Sequence, residues 1–513
     1  MTAPGGSDPA TAGPPVVVET HSALIFLWGD QAHKVRKPLD LGFLDNTTVA
    51  ARAEQSRREV ELNSRLAPDV YTGVLEVRGP DGEVIDHVVR MRRLPARRSL
   101  AALVRSRKQG SNGGGDPEIA VGIREVARQV DHLHAASPRS DEIDAAGSPG
   151  AVARLWAESL EHLRLLGVGE DAPEIVDDIE LLASDYLRGR APLLESRVAA
   201  GRVVDGHGDL LAADVYLTDD GPRVIDCLEF DDRLRFGDAM LDIGFLAMDL
   251  DASGARDLAV VLLEAYRDFS GDDAPPSLVH HYIAYRALVR AKVTAIRAEQ
   301  AADGAAGAEA RRALALADRA VDSLLRGRVR LVLVGGVSGS GKSTLAEPLA
   351  AALSAHLLRS DVVRREVLGA ATTGAEAPGG DDRYSDAAVG AVYTEMLVRA
   401  AGLLAHGRSV VLDATWLEPR RRAEAETVAA DAHAELVEIA CTAPRDELVR
   451  RIAERAAAGT DPSEATVDVL AAQLAAPAPW PDAIEVDTSE LDARDPAAVR
   501  NWAERELGPL PWA

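Results

Sequence analysis

Hydrophobic and polar residues alternate with two different periods along this chain. In the first 100 residues the alternation has the period of β-strands, and the turn Gly29-Asp30 separates two such stretches, which predicts a β-hairpin. The predicted strands there are Ala23–Trp28, 32–35, 72–78 and 84–92. Later stretches have the spacing of amphipathic helices. The predicted helices are 49–66, 119–134, 151–200 and 239–298.

The pattern changes after residue 327. From there on, short apolar strands alternate with helices, which predicts an α/β domain with a parallel sheet. The Ala-rich stretch 301–327 is interpreted as a helical connector, and residues 1–15, rich in Pro, Gly, Ser and Thr, are expected to form a disordered tail. The two predicted domains are therefore residues 16–300 and residues 328–513.

The amino-acid composition of the chain limits the classes of molecule that it is expected to bind. The 513 residues carry a formal net charge of −25, which would repel a phosphate backbone, so we expect a small-molecule substrate and no nucleic acid. No run of eighteen apolar residues appears, and the first fifteen residues lack the regions of a signal peptide. We therefore expect a cytoplasmic protein without a membrane partner. Cys227 and Cys441 alone support neither a disulfide framework nor a Cys-based metal site, and the oligomeric state stays open.

The strongest motif follows the apolar stretch 331–334. Its sequence, Gly336-Val-Ser-Gly-Ser-Gly-Lys-Ser-Thr344, is a P-loop. In such a loop successive backbone amides point at phosphate oxygens, Lys342 reaches the β and γ phosphates, and the hydroxyl of Ser343 coordinates Mg²⁺. The sequence therefore predicts that ATP and Mg²⁺ bind here. The predicted nucleotide-binding residues are Gly336, Ser338, Gly339, Ser340, Gly341, Lys342, Ser343 and Thr344.

Further positions in this half carry candidate chemistry, and each also has a simpler interpretation. Asp413 ends the apolar stretch 409–412, where it could hold Mg²⁺ or serve as an ordinary turn residue. Asp361 follows the expected second strand, where it could accept a proton from an attacking hydroxyl or cap a helix. Arg451 and Arg455 share a helix face, and they could neutralise phosphates or form a solvated pair.

Residues 328–513 resemble the small P-loop kinases that phosphorylate hydroxyl groups, a group that includes gluconate kinase, polynucleotide kinase and zeta-toxin-like enzymes. The resemblance rests on Ser360-Asp-Val-Val-Arg364 and on Leu412-Asp-Ala-Thr415. It implies that Asp361 acts as the base toward the acceptor. It does not identify the acceptor.

A second chemical signature lies in the first half of the chain. It consists of Val204-Asp-Gly-His-Gly-Asp209 and, further on, Val224-Ile-Asp-Cys-Leu-Glu229. It is similar to the catalytic and metal-binding loops of the aminoglycoside phosphotransferase and choline kinase group, which has the two-lobed protein-kinase-like fold. The resemblance implies that Asp209 orients or deprotonates the acceptor hydroxyl, that Asp226 holds Mg²⁺, and that His207 braces the loop.

This half departs from that group at two places. The group normally has Asn where this chain has Asp214, which would still coordinate Mg²⁺ but adds negative charge and changes metal number or affinity. A glycine-rich phosphate loop is also missing from residues 24–30. The first module is therefore either a weak kinase or a nucleotide sensor.

A kinase of this type also needs a lysine for the α and β phosphates, and two candidates are present. Strand alternation places Lys34 and Lys37 on opposite faces, so only one of them can point inward. We favour Lys34, because Ala32 precedes it by two positions and an apolar residue follows it. Glu59 in the following helix is placed to pair with Lys34. The adenine hinge would be the stretch 88–95, which contains Met91.

The chain as a whole resembles a bacterial family that fuses a phosphotransferase-like domain to a P-loop kinase-like domain. Beside the P-loop, the resemblance rests on the stretches 34–45, 58–63 and 66–71. It implies an ATP- and Mg²⁺-dependent phosphotransferase acting on a hydroxyl of a small metabolite, such as a sugar or an aminoglycoside-like compound. Two alternatives remain: one module only binds nucleotide and regulates the other, or the second module is a toxin-like nucleotide-sugar kinase. The substrate pockets are expected within 140–200, 240–300 and 365–390.

Overall fold

The computed structural model describes residues 16–20, 22–40, 45–109, 117–166, 174–300, 306–371, 385–458, 466–475 and 479–512. The expected tail, residues 1–15, lies outside the described residues. Parts of two expected substrate-pocket segments, 167–173 and 372–384, also lie outside them.

Strands and helices are numbered in chain order. The strands are β1 Val16–Glu19, β2 Ala23–Trp28, β3 Gln31–Arg36, β4 Tyr71–Arg78, β5 Val84–Arg92, β6 Val203–Asp205, β7 Val215–Thr218, β8 Gly221–Val224, β9 Phe236–Asp238, β10 Arg330–Gly335, β11 His356–Arg359, β12 Val410–Asp413, β13 Glu435–Thr442 and β14 Ile484–Asp487. The first nine helices are α1 Val49–Asn63, α2 Leu100–Gln109, α3 Pro117–Ala135, α4 Asp141–Ala146, α5 Pro149–Leu165, α6 Glu174–Arg188, α7 Ala191–Ala199, α8 Ala239–Ala252 and α9 Arg256–Ser270. The later helices are α10 Pro276–Gln300, α11 Ala306–Arg326, α12 Lys342–Ala352, α13 Ser360–Ala371, α14 Asp386–Ala405, α15 Pro419–Asp431, α16 Arg445–Ala458, α17 Val467–Ala475 and α18 Pro496–Leu507.

The chain divides into two compact units that are not contiguous in sequence. The N-terminal unit consists of Met1–Ala151 and Arg197–Asp273, and the C-terminal unit consists of Val152–Ser196 and Ala274–Ala513. Helices α6, α10 and α11 therefore belong to the same unit as the P-loop. The linear domain boundaries at residues 300 and 328 stay a prediction from the sequence.

The N-terminal unit begins with a five-stranded antiparallel sheet in the order β1-β2-β3-β5-β4. The predicted hairpin of β2 and β3 is present, with Gly29-Asp30 at its turn. Because side chains alternate across a strand, one face of the sheet supplies a small core. That core contains Ala32, Ala67, Val70, Tyr71, Val89 and Met91. The two short ladders β6-β9 and β7-β8 carry the second sequence signature, and α8 lies buried beside them.

The C-terminal unit is built on a five-stranded parallel sheet in the order β11-β12-β10-β13-β14. β10 is buried along its whole length, as expected for a central strand covered on both faces. Helices α12 and α18 cover one face, and α14 and α15 cover the other. The first strand lies in the middle, so the chain reverses its strand order at the carboxyl end of β10. The predicted α/β class, with a parallel sheet in the P-loop unit, is therefore confirmed.

One helix of the described chain, α14, is long and apolar enough to cross a membrane by length and composition alone. In the structure it packs on the parallel sheet of the C-terminal unit. Its contacts there come from Val392, Met396, Ala400 and Leu404, all of which belong to the core of that unit. This is the position of a core helix in an α/β fold.

Candidate functional sites

The P-loop connects β10 to α12 at the point where the strand order reverses. Gly336 has a φ of +134° and donates its backbone N–H to the carbonyl of Thr415 at 3.0 Å. Gly341, with a φ of +84°, is the N-cap residue of α12. These left-handed conformations are ones that only glycine adopts readily. The loop therefore turns tightly and leads into a helix N-terminus, which favours an anion.

The loop also leaves no room for side chains at its glycines. A Cβ at Gly336 would lie 2.4 Å from the carbonyl oxygen of Cys441, and one at Gly339 would lie 2.7 Å from that of Leu448. The hydroxyl of Ser340 is buried and has no hydrogen-bond partner among the described residues. A narrow cradle of backbone amides is the arrangement that phosphate groups require, so the residues present fit a nucleotide.

Lys342 and Ser343 face the acidic residue that ends β12. The ammonium of Lys342 donates to the carbonyl of Val337 at 2.9 Å, and burial lowers its pKa although Asp413 counteracts that effect. The hydroxyl of Ser343 donates to Oδ2 of Asp413 at 2.6 Å. Burial raises the pKa of Asp413, and the charge of Lys342 opposes the rise. A hydroxyl and a carboxylate oxygen so close together suit Mg²⁺, which takes its other ligands from phosphates and water.

Asp361 lies in the first turn of α13, directly after β11. Its Oδ1 is 3.2 Å from Nη1 of Arg364. At the end of β11, two positions before Asp361, Nε of Arg359 lies 3.4 Å from Oδ2 of Asp413. Since β11 and β12 are paired with Arg359 opposite Asp413, both predicted acidic residues lie at the carboxyl edge of the sheet.

A cavity of about 760 Å³ lies beside the P-loop. It is lined by Lys342, Ser343 and Thr344 from the loop and α12, and by Arg451 and Arg455 from α16. Arg451 is held in place, because it pairs with Glu447 at 2.6 Å and donates to the hydroxyl and carbonyl of Thr488 at 2.8 and 3.1 Å.

Two residues of this site were missed by the sequence analysis. Thr488, just after β14, donates its hydroxyl to the carbonyl of Ser340 at 2.8 Å. Gln473, on α17, accepts the backbone N–H of Ser338 through its side-chain oxygen at 2.8 Å. Both residues lie more than a hundred positions away in sequence from the P-loop residues that they bond, and no local sequence pattern predicts this role.

In the N-terminal unit, Lys34 and Lys37 lie in different surroundings. The ammonium of Lys34 lies 2.8 Å from Oε1 of Glu59 and 3.5 Å from Oδ1 of Asp226. Lys37 pairs with the exposed Glu19 instead. Burial would lower the pKa of Lys34, but the carboxylates of Glu59 and Asp226 outweigh it and hold that pKa well above its ordinary value. Lys34 is therefore the cation that lies beside the predicted metal ligand.

Arg36, a third cation, was missed by the sequence analysis. It is buried and joins Oε2 of Glu59 at 2.5 Å to Oε1 of Glu229 at 2.7 Å. It follows Lys34 by two positions on β3, so both side chains point to the same face. Strand alternation is therefore the sequence signal that distinguishes Arg36 from Lys37.

The loop that carries His207 and Asp209 is held by one buried carboxylate of α8. Asp242 accepts the backbone N–H groups of His207 and Gly208 at 2.6 and 2.9 Å. It also contacts Nε2 of His134 at 3.1 Å. Such a network fixes the backbone of the loop. The sequence analysis did not identify Asp242 as a residue of the site.

His207 connects this loop to the second acidic segment. Its Nδ1 accepts the N–H of Asp209 at 3.4 Å, so we assign the proton to Nε2, which donates to the carbonyl of Ile225 at 3.1 Å. Burial lowers the pKa of His207, in agreement with a neutral ring. Asp214 also belongs here, since its carbonyl accepts the N–H of Ile225 at 3.0 Å.

The predicted metal ligand Asp226 has a positive φ of +64°, and 53% of its side chain is exposed. Its backbone N–H donates to the hydroxyl of Tyr71 at 3.3 Å. Met91, the predicted hinge residue, lies in the small core opposite Ala32. Among the described residues no three His, Cys, Asp or Glu side chains are grouped as a metal site. Mg²⁺ bound with a nucleotide takes phosphate oxygens and water among its ligands as well as carboxylates.

Comparison with known proteins gives the following similarities. A family model described as AAA domain matches residues 331–479, from the P-loop strand past Gln473. The uncharacterized protein Rv2004c of Mycobacterium tuberculosis is 41% identical over 475 residues, which are 92% of either chain. That relative spans both units, and the predicted fusion is confirmed.

Solved structures resemble different parts of the chain. A choline/ethanolamine kinase family protein from Mesorhizobium loti covers 61% of this chain and 92% of its own, with 17% identity and a TM-score of 0.36. A gluconokinase from Sinorhizobium meliloti covers 34% of this chain and 94% of its own, with 21% identity and a TM-score of 0.24.

Proposed function

Because this chain belongs to the family of the mycobacterial protein Rv2004c, whose members share both units, we propose one function that uses both. We propose that the protein is an ATP- and Mg²⁺-dependent phosphotransferase that phosphorylates a hydroxyl group of a small metabolite. The acidic net charge of −25 supports a small acceptor over a polynucleotide. The need for ATP supports a cytoplasmic location.

One observation carries the proposal: each unit has a lysine beside a carboxylate at the end of a strand or loop. In the C-terminal unit Lys342 of the P-loop interacts electrostatically with Asp413 at the end of β12, and in the N-terminal unit Lys34 and Asp226 lie 3.5 Å apart. A lysine for phosphates and a carboxylate for the metal are the parts that phosphoryl transfer needs, since catalysis there is mainly positioning and charge stabilisation.

In the C-terminal unit, bound ATP with Mg²⁺ would supply the transferable phosphoryl group. The P-loop amides hold the phosphates, and Lys342 and Arg451 offset their charge. Ser343 and Asp413 are the residues that would hold the metal. Asp361, across the crevice on α13, is placed to accept the proton of the acceptor hydroxyl.

In the N-terminal unit, Lys34 holds the phosphates and Glu59 fixes the orientation of Lys34. Asp226 and Asp214 would hold the metal, and Asp209 orients the acceptor hydroxyl. His207 and Asp242 do not touch substrate in this scheme. They keep the loop of Asp209 in place through backbone hydrogen bonds.

The proposal is tested by measuring ATP turnover of the full-length chain after each site has been inactivated by a substitution. Lys342→Ala and Asp209→Ala should each remove part of the turnover, and the double variant should remove nearly all of it. Removing one group that stabilises transition-state charge costs roughly 10²–10³-fold at its own site. Lys37→Ala is the matched control, because Lys37 pairs with Glu19 at the surface and should leave turnover unchanged. A double variant with full turnover would contradict the proposal.

A second possibility is that the N-terminal unit binds nucleotide without turnover and regulates the other. It is favoured by the excess of acidic groups there, since the three carboxylates of Glu59, Glu229 and Asp226 pair with the two cations of Lys34 and Arg36. In the Lys342→Ala background this possibility predicts ATP binding by calorimetry with no remaining turnover. Turnover that persists in Lys342→Ala and disappears in the double variant would exclude it.

A further inference from the structure

The predicted metal ligand Asp226 combines an unusual backbone conformation with an exposed side chain. Its φ of +64° lies in the left-handed region, which residues other than glycine adopt at a cost, and 53% of its side chain is exposed. Such a conformation persists only where the surrounding contacts hold it. The contacts that hold the backbone of residue 226 therefore decide where its carboxylate points.

The two peptide N–H groups next to the Cα of Asp226 are both held by side chains. The hydroxyl of Tyr71, at the start of β4, accepts the N–H of Asp226 at 3.3 Å. Oδ1 of Asn63, at the end of α1, accepts the N–H of Cys227 at 2.8 Å. Both side chains are buried, Tyr71 with 5% and Asn63 with 1% of its surface exposed. Two buried side chains thus fix the peptide groups on either side of the metal ligand.

The next N–H group on each side is held by a backbone carbonyl. The carbonyl of Asp214 accepts the N–H of Ile225 at 3.0 Å, and that of His207 accepts the N–H of Leu228 at 3.1 Å. Residues 225–228 therefore have all four of their N–H groups bonded, each to a different residue. Only the two inner bonds depend on the identity of a side chain, so a substitution can remove them one at a time.

Asn63 needs both ends of its amide in this position. Its Nδ2 donates to the carbonyl of Glu59 at 2.9 Å, which leaves Oδ1 to face the N–H of Cys227. Glu59 lies one turn earlier on α1 and pairs with Lys34 at 2.8 Å. Positions i and i+4 share a helix face. One face of α1 therefore holds both the lysine proposed for the phosphates and the loop of the metal ligand.

The end of α1 is itself fixed against the loop of Asp209. Nη2 of Arg65 donates to the carbonyl of Gly206 at 2.8 Å and lies 3.3 Å from Sγ of Cys227. Gly206 belongs to the loop that carries Asp209. The end of the helix thus contacts both acidic segments of the site, so Asn63 acts from a fixed position.

We propose that Asn63 and Tyr71 are positioning residues for Asp226, which hold its backbone so that the carboxylate points at the metal of a bound nucleotide. This inference rests on the proposed nucleotide site of the N-terminal unit. It applies whether that unit transfers phosphate or only binds nucleotide. Residues that orient a metal ligand affect metal binding without touching the metal, and neither Asn63 nor Tyr71 contacts the nucleotide in this scheme.

The test is calorimetric titration of a non-hydrolysable ATP analogue into the full-length chain carrying Lys342→Ala, which removes the phosphate-binding lysine of the P-loop. Each variant is titrated with saturating Mg²⁺ and with EDTA, and the ratio of the two affinities is the gain due to Mg²⁺. Asn63→Ala should reduce this gain by roughly tenfold, as for other residues that orient metal ligands. Tyr71→Phe should reduce it less, because its bond is longer, 3.3 Å against 2.8 Å.

Neither substitution changes the charge of the site. Asn63 is neutral, and burial raises the pKa of Tyr71 well above its ordinary value, so its hydroxyl keeps its proton at neutral pH. A reduced gain therefore reports on the position of Asp226 and not on an added or lost charge. Asp226→Asn is the reference for loss of the ligand itself, and it should lose the most.

Ser64→Ala is the matched control. Ser64 directly follows Asn63, and its hydroxyl donates to the carbonyl of Val60 in the same helix at 2.6 Å. This substitution also removes one hydrogen bond at the end of α1, but it leaves the bond to Cys227 in place. The gain due to Mg²⁺ should therefore equal that of the Lys342→Ala reference chain.

The affinity in EDTA separates positioning from general damage. Since nucleotide without metal does not need the carboxylate of Asp226, Asn63→Ala and Tyr71→Phe should bind it as the reference chain does. An equal loss of affinity with Mg²⁺ and with EDTA, or an unchanged gain in both variants, would overturn the inference while the nucleotide site stands. No binding by the reference chain in Mg²⁺, or a full gain in Asp226→Asn, would contradict the proposed site, and the inference would fall with it.

Discussion

The two candidate sites differ in what holds their charges. In the N-terminal unit, side chains from distant segments pair with each other, and Lys34 and Arg36 are already surrounded by Glu59, Glu229 and Asp226. In the C-terminal unit, one continuous loop presents backbone amides, and within the described part of the chain Lys342 donates only to a backbone carbonyl of the same loop. The first site is stabilised by ion pairs before any ligand arrives, whereas the second is shaped by backbone geometry.

The difference has an electrostatic consequence. Burial lowers the pKa of Lys342, while neighbouring carboxylates hold the pKa of Lys34 well above its ordinary value. An incoming triphosphate would therefore improve the surroundings of Lys342, because it brings negative charge to a poorly compensated cation. At Lys34 incoming phosphates would have to compete with carboxylates that are already present, and under the proposed function Mg²⁺ would offset those acidic groups.

The largest expected effect comes from breaking the backbone geometry of the second site. Gly336→Ala places a Cβ 2.4 Å from the carbonyl of Cys441 at a φ of +134°. Strain and overpacking together should cost about 3–6 kcal/mol of unfolding free energy. Urea unfolding measures this loss, and ATP turnover in the Asp209→Ala background should vanish with it.

A glycine of the same unit provides the control for that substitution. Gly402 lies in α14 with nothing within 4 Å of the new Cβ. Gly402→Ala should therefore stabilise the unit by about 0.5–1 kcal/mol. If both substitutions had the same effect on urea unfolding, backbone geometry would not be what shapes the P-loop site.

The next largest loss of stability is expected from breaking the ion pairs of the N-terminal site. Arg36→Met leaves Glu59 and Glu229 without their shared cation in a buried position. Removing one partner from such a buried group costs about 3 kcal/mol. Urea unfolding at neutral pH measures the loss. Arg57→Met is the control, since its exposed pair with Glu54 should be worth less than about 1 kcal/mol.

The same variant has a predicted pH dependence. Burial raises the pKa of Glu59 above its ordinary value of 4.5, and Arg36 opposes that rise, so the substitution should raise the pKa further. A carboxyl whose folded pKa is raised binds its proton more tightly when folded, so stability falls as pH rises above 4.5. The deficit of Arg36→Met relative to the wild type should therefore be largest at neutral pH and shrink as pH approaches 4.5. A deficit that grows on acidification would contradict this assignment.

The comparison also explains which features the sequence could predict. The P-loop is contiguous, and its glycines, lysine and serine have fixed spacing. The motif alone was therefore enough to predict the roles of Lys342 and Ser343. The parallel sheet followed from apolar strands such as β10 and β12. In the first site Lys34 and Glu59 were found only through a family resemblance and strand alternation.

The residues that escaped prediction act over long separations. Arg36 meets Glu229 across 193 positions, and Asp242 reaches the N–H of His207 across 35. Nothing in the local pattern distinguishes a buried Asp242 on an apolar helix from an ordinary cap or surface residue. The sequence also did not predict that Val152–Ser196 belongs to the C-terminal unit. Tertiary contacts between distant segments, and not the local pattern, determine which helices pack together.

The smallest expected effect concerns Gln473, the one side chain described here that bonds a backbone amide of the P-loop from outside it. Gln473→Ala frees the N–H of Ser338, whose hydrogen bond of 2.8 Å positions the loop. One such bond is worth about 0.5–1.5 kcal/mol, so the affinity for ATP at this site should fall by roughly 2- to 10-fold. Gln473→Glu keeps an acceptor but adds negative charge beside the phosphates, so it should lose more affinity than alanine does. Both are measured by calorimetry in the Asp209→Ala background, with the exposed Asp468→Ala on the same helix as control. Equal affinities in wild type, Gln473→Ala and Gln473→Glu would mean that backbone geometry alone, without a side chain from α17, shapes the second site.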